Sequence, residues 1–161
     1  MRFFFTILIF SIVFAGCSKK NAFNEFKMDK VQELSISSLQ SSKIVSKDGE
    51  VEGVLSAIYL NEVYPEIYNQ EEYFFVFFFT KQAREIYDQS SPSDLYLKLK
   101  LNSELPAKIE KLSSENKFSH LVDTKNSWNR YYLVTFKQAE SINLILENDN
   151  LSSSALKYLK D

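Results

Sequence analysis

Cysteine is nearly missing from this chain: Cys17 stands alone among 161 residues, so no intramolecular disulfide can form and an exported domain must rely on its hydrophobic core. Histidine is equally rare. With His120 as its only companion, Cys17 cannot build a zinc site, which takes several Cys and His ligands together. Glycine is limited to Gly16, Gly49 and Gly53, too few for a phosphate-cradling loop, and no G-x-S-x-G turn presents a hydrolase serine. Arginine occurs only at Arg2, Arg84 and Arg130, and the net charge of −2 is too balanced for a nucleic-acid footprint. Lys greatly outnumbers Arg, and Phe, Ile and Asn are plentiful, which matches an AT-rich coding bias. The lysines therefore need no functional reason.

Aromatic residues are abundant. At 15% aromatic content, the chain can offset its ordering entropy by burial, and its length suits one domain. Strand patterns dominate. Residues 43–46 and 51–60 flank Lys47-Asp48-Gly49-Glu50, where Asp-Gly signals a hairpin. Residues 73–79 are apolar on both alternating faces and predict a strand covered on both sides at the centre of the fold. Leu95, Leu97, Leu99 and Leu101 alternate with Tyr96, Lys98 and Lys100, a half-buried strand with lysines towards water. Further strands are predicted over 105–112, 130–136, 142–146 and 155–159. Residues 26–39 fit a helix only partly, with Asp29 as its N-cap. Many short strands without a βαβ rhythm indicate a mainly β domain, an antiparallel β-sandwich of which an immunoglobulin-like arrangement is one form. A small closed barrel is the alternative.

The first residues are of another kind. Met1-Arg2 is a short positive start, and residues 3–14 are apolar apart from Thr6 and Ser11. Crossing a bilayer takes about 20 apolar residues, and Ser18-Lys19-Lys20-Asn21 stops this run short, so it reads as the apolar region of a signal peptide. Phe14-Ala15-Gly16-Cys17 follows and resembles the lipobox of bacterial lipoproteins, although Phe14 stands where Leu is usual. The resemblance covers residues 1–17. It implies cleavage before Cys17, a diacylglyceryl thioether on its sulfur, and usually a third acyl chain on the new amino group. Each buried methylene contributes about 0.8 kcal/mol, so two or three chains anchor stably. Ser18 after the cysteine resembles the pattern of lipoproteins released to the outer membrane. The expected organisation is thus a signal peptide (residues 1–16), lipidated cysteine and tether (17–24), and one β-sandwich domain (25–161). Losing Arg2 with the leader takes the charge from −2 to about −3.

Chemistry is harder to find. His120 has no evident base partner in sequence and is expected to pack in a loop. Serine and lysine are too common for any Ser–Lys pair to stand out. Glu71-Glu72 and Glu147 with Asp149 bring carboxylates close, but solvated turns explain them better than a glycosidase pair or a calcium loop. No cofactor or metal is expected. Tyr64 and Tyr68, in an acidic stretch around Pro65, can form a partner contact or fold down over the core edge. Trp128 can anchor a partner or, more commonly, plug the open end of a sandwich. These readings point to a non-enzymatic, lipid-anchored envelope protein, structural, assembly-related or protein-binding, with the bilayer and an envelope protein as partners and no nucleic acid. The domain is expected in the periplasm or at the surface. The alternatives are an adhesin or substrate-binding lipoprotein, and behind them a hydrolase with an unrecognised site.

Overall fold

The computed structural model describes residues 29–87, 96–122 and 127–160. The expected leader, Cys17 and the tether lie outside them, as do Phe26 and Leu95. The chain opens with α1 (Lys30–Ser38), where the Asp29 carboxylate accepts the Gln32 backbone N–H at 2.9 Å and caps the first turn as expected. Helix α1 runs directly into β1 (Leu39–Ser46), which pairs antiparallel with β2 (Val51–Tyr59) across the expected turn. Gly49 takes φ +83° there, a conformation that strains any side chain. A short helix α2 (Leu60–Val63) leads through a turn to β3 (Glu72–Thr80) and the two-residue β4 (Glu85–Ile86). Then follow β5 (Tyr96–Leu101), β6 (Lys108–Leu112), β7 (Arg130–Phe136), β8 (Ile142–Glu147), β9 (Leu151–Ser153) and β10 (Leu156–Tyr158). The predicted strands are all present. β4 and β9 are additions, and β6 is shorter than expected.

Among the described residues, all ten strands join one sheet in the order β4-β5-β8-β9-β1-β2-β3-β7-β6, with β10 on β8. This corrects the expected two-sheet sandwich, immunoglobulin-like or otherwise. The seam at which two sheets would part stays hydrogen-bonded, because β9 pairs with β1 on one side and β8 on the other. The sheet is mixed, since β4 runs parallel to β5. It curls into a half-barrel. Its margins approach each other: the Ile86 N–H on β4 donates to the Tyr132 hydroxyl on β7 at 3.4 Å, and Lys111 on β6 pairs with Glu85. β10 pairs with β8 and not with β1, and side chains bridge β1 to this last segment. Ser42 accepts the Ser154 N–H, and the Gln40 amide both accepts from the Lys157 N–H and donates to its carbonyl.

Alternation sorts the side chains onto two faces. Leu55, Ala57 and Tyr59, with Phe74, Val76 and Phe78, line the inner face with Leu97, Leu99 and Leu101 and the leucines of β8. Ile58, Phe75, Tyr131 and Leu133 look outward and are covered by Leu60 and Val63 of α2 and by Phe118 and Leu121. β3 therefore divides two apolar clusters, as its two-sided pattern requires. The outer cover is incomplete. Phe75 is fully buried, Phe77 only partly, and Phe79 is 37% exposed, so the cover expected on both sides of residues 73–79 is corrected at Phe77 and Phe79: cover from α2 and residues 118–121 fades along the strand. Gly53 fits because β2 and β3 touch here, where a Cβ would stand 2.1 Å from the Phe79 carbonyl oxygen.

Candidate functional site

Three places bring chemically capable side chains together. The first is a cleft of about 630 Å³ at the start of β1 and the end of the chain, lined by Gln40, Tyr59, Asn61, Glu62, Lys157 and Tyr158 among others. Behind its wall Glu72 is 1% exposed. Its carboxylate accepts the Tyr59 hydroxyl at 2.6 Å, the Ala139 N–H at 2.8 Å and the Lys160 ammonium at 2.7 Å. Burial pushes the Glu72 carboxyl up, but the Lys160, Tyr59 and Ala139 donors outweigh it and hold it below its ordinary value. Burial, and then the Glu72 hydrogen bond, push the Tyr59 phenol far up. Both oxygens of Glu72 are occupied, so this group is a charged tie more than a proton carrier. The solvated turn expected for Glu71-Glu72 is thereby corrected, because Glu72 shares the inward parity of Phe74 and Val76. Glu147, for its part, pairs with Lys100 at 2.7 Å, while Asp149 sits in an exposed turn.

The second place is the aromatic group over the outer cluster. The Tyr64 hydroxyl stands 2.6 Å from His120 Nε2, which gives the lone histidine a partner that sequence did not reveal. Tyr68 packs on Tyr73 at 4.9 Å and on Phe118 at 6.4 Å between ring centroids. Burial raises both the Tyr64 and Tyr68 phenols. The Asn61 side chain holds the loop down, donating to the Glu71 carbonyl and accepting the Tyr73 N–H. Of the two roles open to Tyr64 and Tyr68, this geometry favours covering the core, and it is Ile67, 70% exposed, that faces solvent.

The third place is the uncovered end of the outer face. Trp128 is 71% exposed, which corrects its expected role as a plug: the curl closes the core without it. Its ring lies 6.3 Å from Phe79, and Phe79 in turn stands opposite Val54, 42% exposed, across the β2–β3 pair. A groove of about 270 Å³ runs beside them between Thr80, Lys81, Ala83 and Arg130. Lys81 is held by Glu52 at 3.2 Å, and Arg130 donates to the Trp128 carbonyl at 3.3 Å.

No protein-family model, curated protein or solved structure matches the chain. Among the described residues, no three His, Cys, Asp or Glu side chains gather closely enough to hold a metal ion, and no helix is long and apolar enough to cross a membrane. Sequence reasoning missed Glu72 and Phe79. Parity along residues 72–79 carried the signal for the first, whereas the second depended on where the outer cover stops.

Proposed function

We propose that this chain is a lipid-anchored, non-enzymatic protein of the bacterial cell envelope, acting as a structural, assembly or binding module. The observation that carries it is Phe14-Ala15-Gly16-Cys17 directly after the apolar run. Geometry supports the non-enzymatic part: Glu72 is buried and locked by three donors, so it presents no proton-transfer group to a substrate. It supports contact through the face of Trp128, Phe79 and Val54, because exposed aromatics on a rigid sheet gain from being covered. Labelling growing cells with a clickable fatty acid tests the reading. Label is expected on the wild-type protein and not on Cys17→Ser, and an unlabelled wild type contradicts the anchor. A second reading, a substrate-binding lipoprotein, is favoured by the 630 Å³ cleft beside Tyr59. Its domain would lie in the periplasm or at the surface of the outer membrane, like that of the first.

A further inference from the structure

We infer that the face formed by Trp128, Phe79 and Val54 docks on the surface of the same bilayer that holds the lipidated N-terminus. This rests on the anchoring reading and adds the orientation of the domain. The face combines a tryptophan 71% exposed with Phe79 and Val54 at 37% and 42%, and tryptophan is the side chain best suited to the boundary between headgroups and hydrocarbon. Three cations border it. Lys43 stands opposite Val54 across β1–β2 and is exposed, and Arg130 and Lys81 line the adjoining groove. Glu52 is the carboxylate paired within this set, to Lys81. Aromatic area ringed by lysine and arginine matches a phospholipid surface, where the ring enters the interface and the cations meet phosphate.

Three apolar side chains are few for a protein partner, since a stable interface takes about 20–30 residues a side. They are enough for a surface already close at hand. Residues 17–28 connect the acylated cysteine to the cap of α1, and twelve residues span at most about 40 Å. Helix α1 packs through Val31 and Leu34 on the same outer cluster that Tyr64 and Tyr68 cover. From there the face is about a strand length away, roughly 20 Å from Tyr73 to Phe79. The tether is therefore long enough to let the face meet the membrane, and attachment turns a weak contact into an intramolecular one.

Trp128 is the sole tryptophan, so emission excited beyond the tyrosine absorption band reports this face alone. The acylated full-length protein, extracted from membranes, is reconstituted in phosphatidylethanolamine and phosphatidylglycerol vesicles with or without brominated acyl chains. Flotation reads the anchor, and Trp128 emission reads the face. The proposal expects co-flotation, a blue shift and strong quenching by bromine, with quenching largely lost in Phe79→Ser or Val54→Ser while flotation and the thermal melt persist. Co-flotation with unshifted, unquenched emission overturns the docking and leaves the anchor standing. Failure to float, with unquenched emission, overturns both. Trp128 shielded in cells but unquenched in vesicles assigns the face to a protein partner and overturns the proposal too.

Discussion

Removing the ammonium of Lys160 is expected to destabilise a domain that it touches only at its end. Lys160 lies next to the last residue of the chain, yet its Nζ stands 2.7 Å from a Glu72 oxygen and 2.6 Å from the Ala139 carbonyl. The carboxylate is 1% exposed, while the lysine side chain keeps 30% of its exposure. Breaking a wholly buried pair from one side costs about 3–5 kcal/mol, and a hydrogen bond to a charged group about 1.5–3 kcal/mol. In Lys160→Ala the carboxylate retains Tyr59 and Ala139, and water can reach where the lysine lay. The lower part applies, about 2–3 kcal/mol, which is a drop of roughly 5–10 °C in melting temperature for a domain this size. The pH dependence has a definite sign. A carboxyl held below its ordinary 4.5 contributes stability above that value and loses it as pH falls through the folded value. The gap between wild type and Lys160→Ala should thus be full at pH 7 and narrow in acid. Thermal melts by circular dichroism across pH, with Glu72→Gln and the double variant completing a cycle, measure it. A Lys160→Ala melt indistinguishable from wild type at pH 7, or a coupling of zero, would refute the tie.

Positions along the outer face of β3 should respond differently to truncation. Phe75→Ala, at a fully buried site, is expected to cost about 3–5 kcal/mol, and Phe77→Ala, half-covered, roughly half as much; equal losses in denaturant titrations would contradict the incomplete cover. Alkali should unfold the domain. Burial raises Tyr59, Tyr158 and Tyr132, the last to about 12, so stability is full below pH 10 and falls as pH rises through the folded values. Tyr132 alone corresponds to roughly 3 kcal/mol, and ionisation of all nine tyrosines near pH 10 without loss of structure would contradict it. Gly53→Ala is expected to lower the melting temperature markedly, since its Cβ would meet backbone at Phe79; an unchanged melt would show that β2 and β3 can part there.

Local patterns carried much of this architecture, and closure carried the rest. Alternation at Leu97, Leu99 and Leu101, Asp-Gly at the first hairpin and the two-sided run in β3 are decided by neighbours in sequence; the first two stand as expected, and the third holds until the outer cover thins at Phe77. The curl is different. It depends on Ile86 meeting Tyr132 and Glu85 meeting Lys111, contacts between margins of the sheet that no short window records. The same holds for β10 and for Ser154 before it, where Gln40 and Ser42 of β1 make side-chain bonds in place of strand pairing, 117 and 112 residues away in sequence. Two-sheet and one-sheet folds share a period of two, so alternation could not separate them. The candidate site divides in the same way. Tyr64 and Tyr68 were legible as amphipathic, but which face each presents followed from Phe118 and His120, brought over from a distant turn. Trp128 was legible as a candidate only, because its exposure depends on how far the outer cover extends.

Attachment through Cys17 is the claim on which the functional reading stands, and the intact mass of the protein extracted from membranes tests it most directly. The account predicts a chain that begins at Cys17 and carries diacylglycerol, usually with a third acyl group on its amino terminus. An unmodified cysteine, or a mature terminus beyond Ser18, would contradict it.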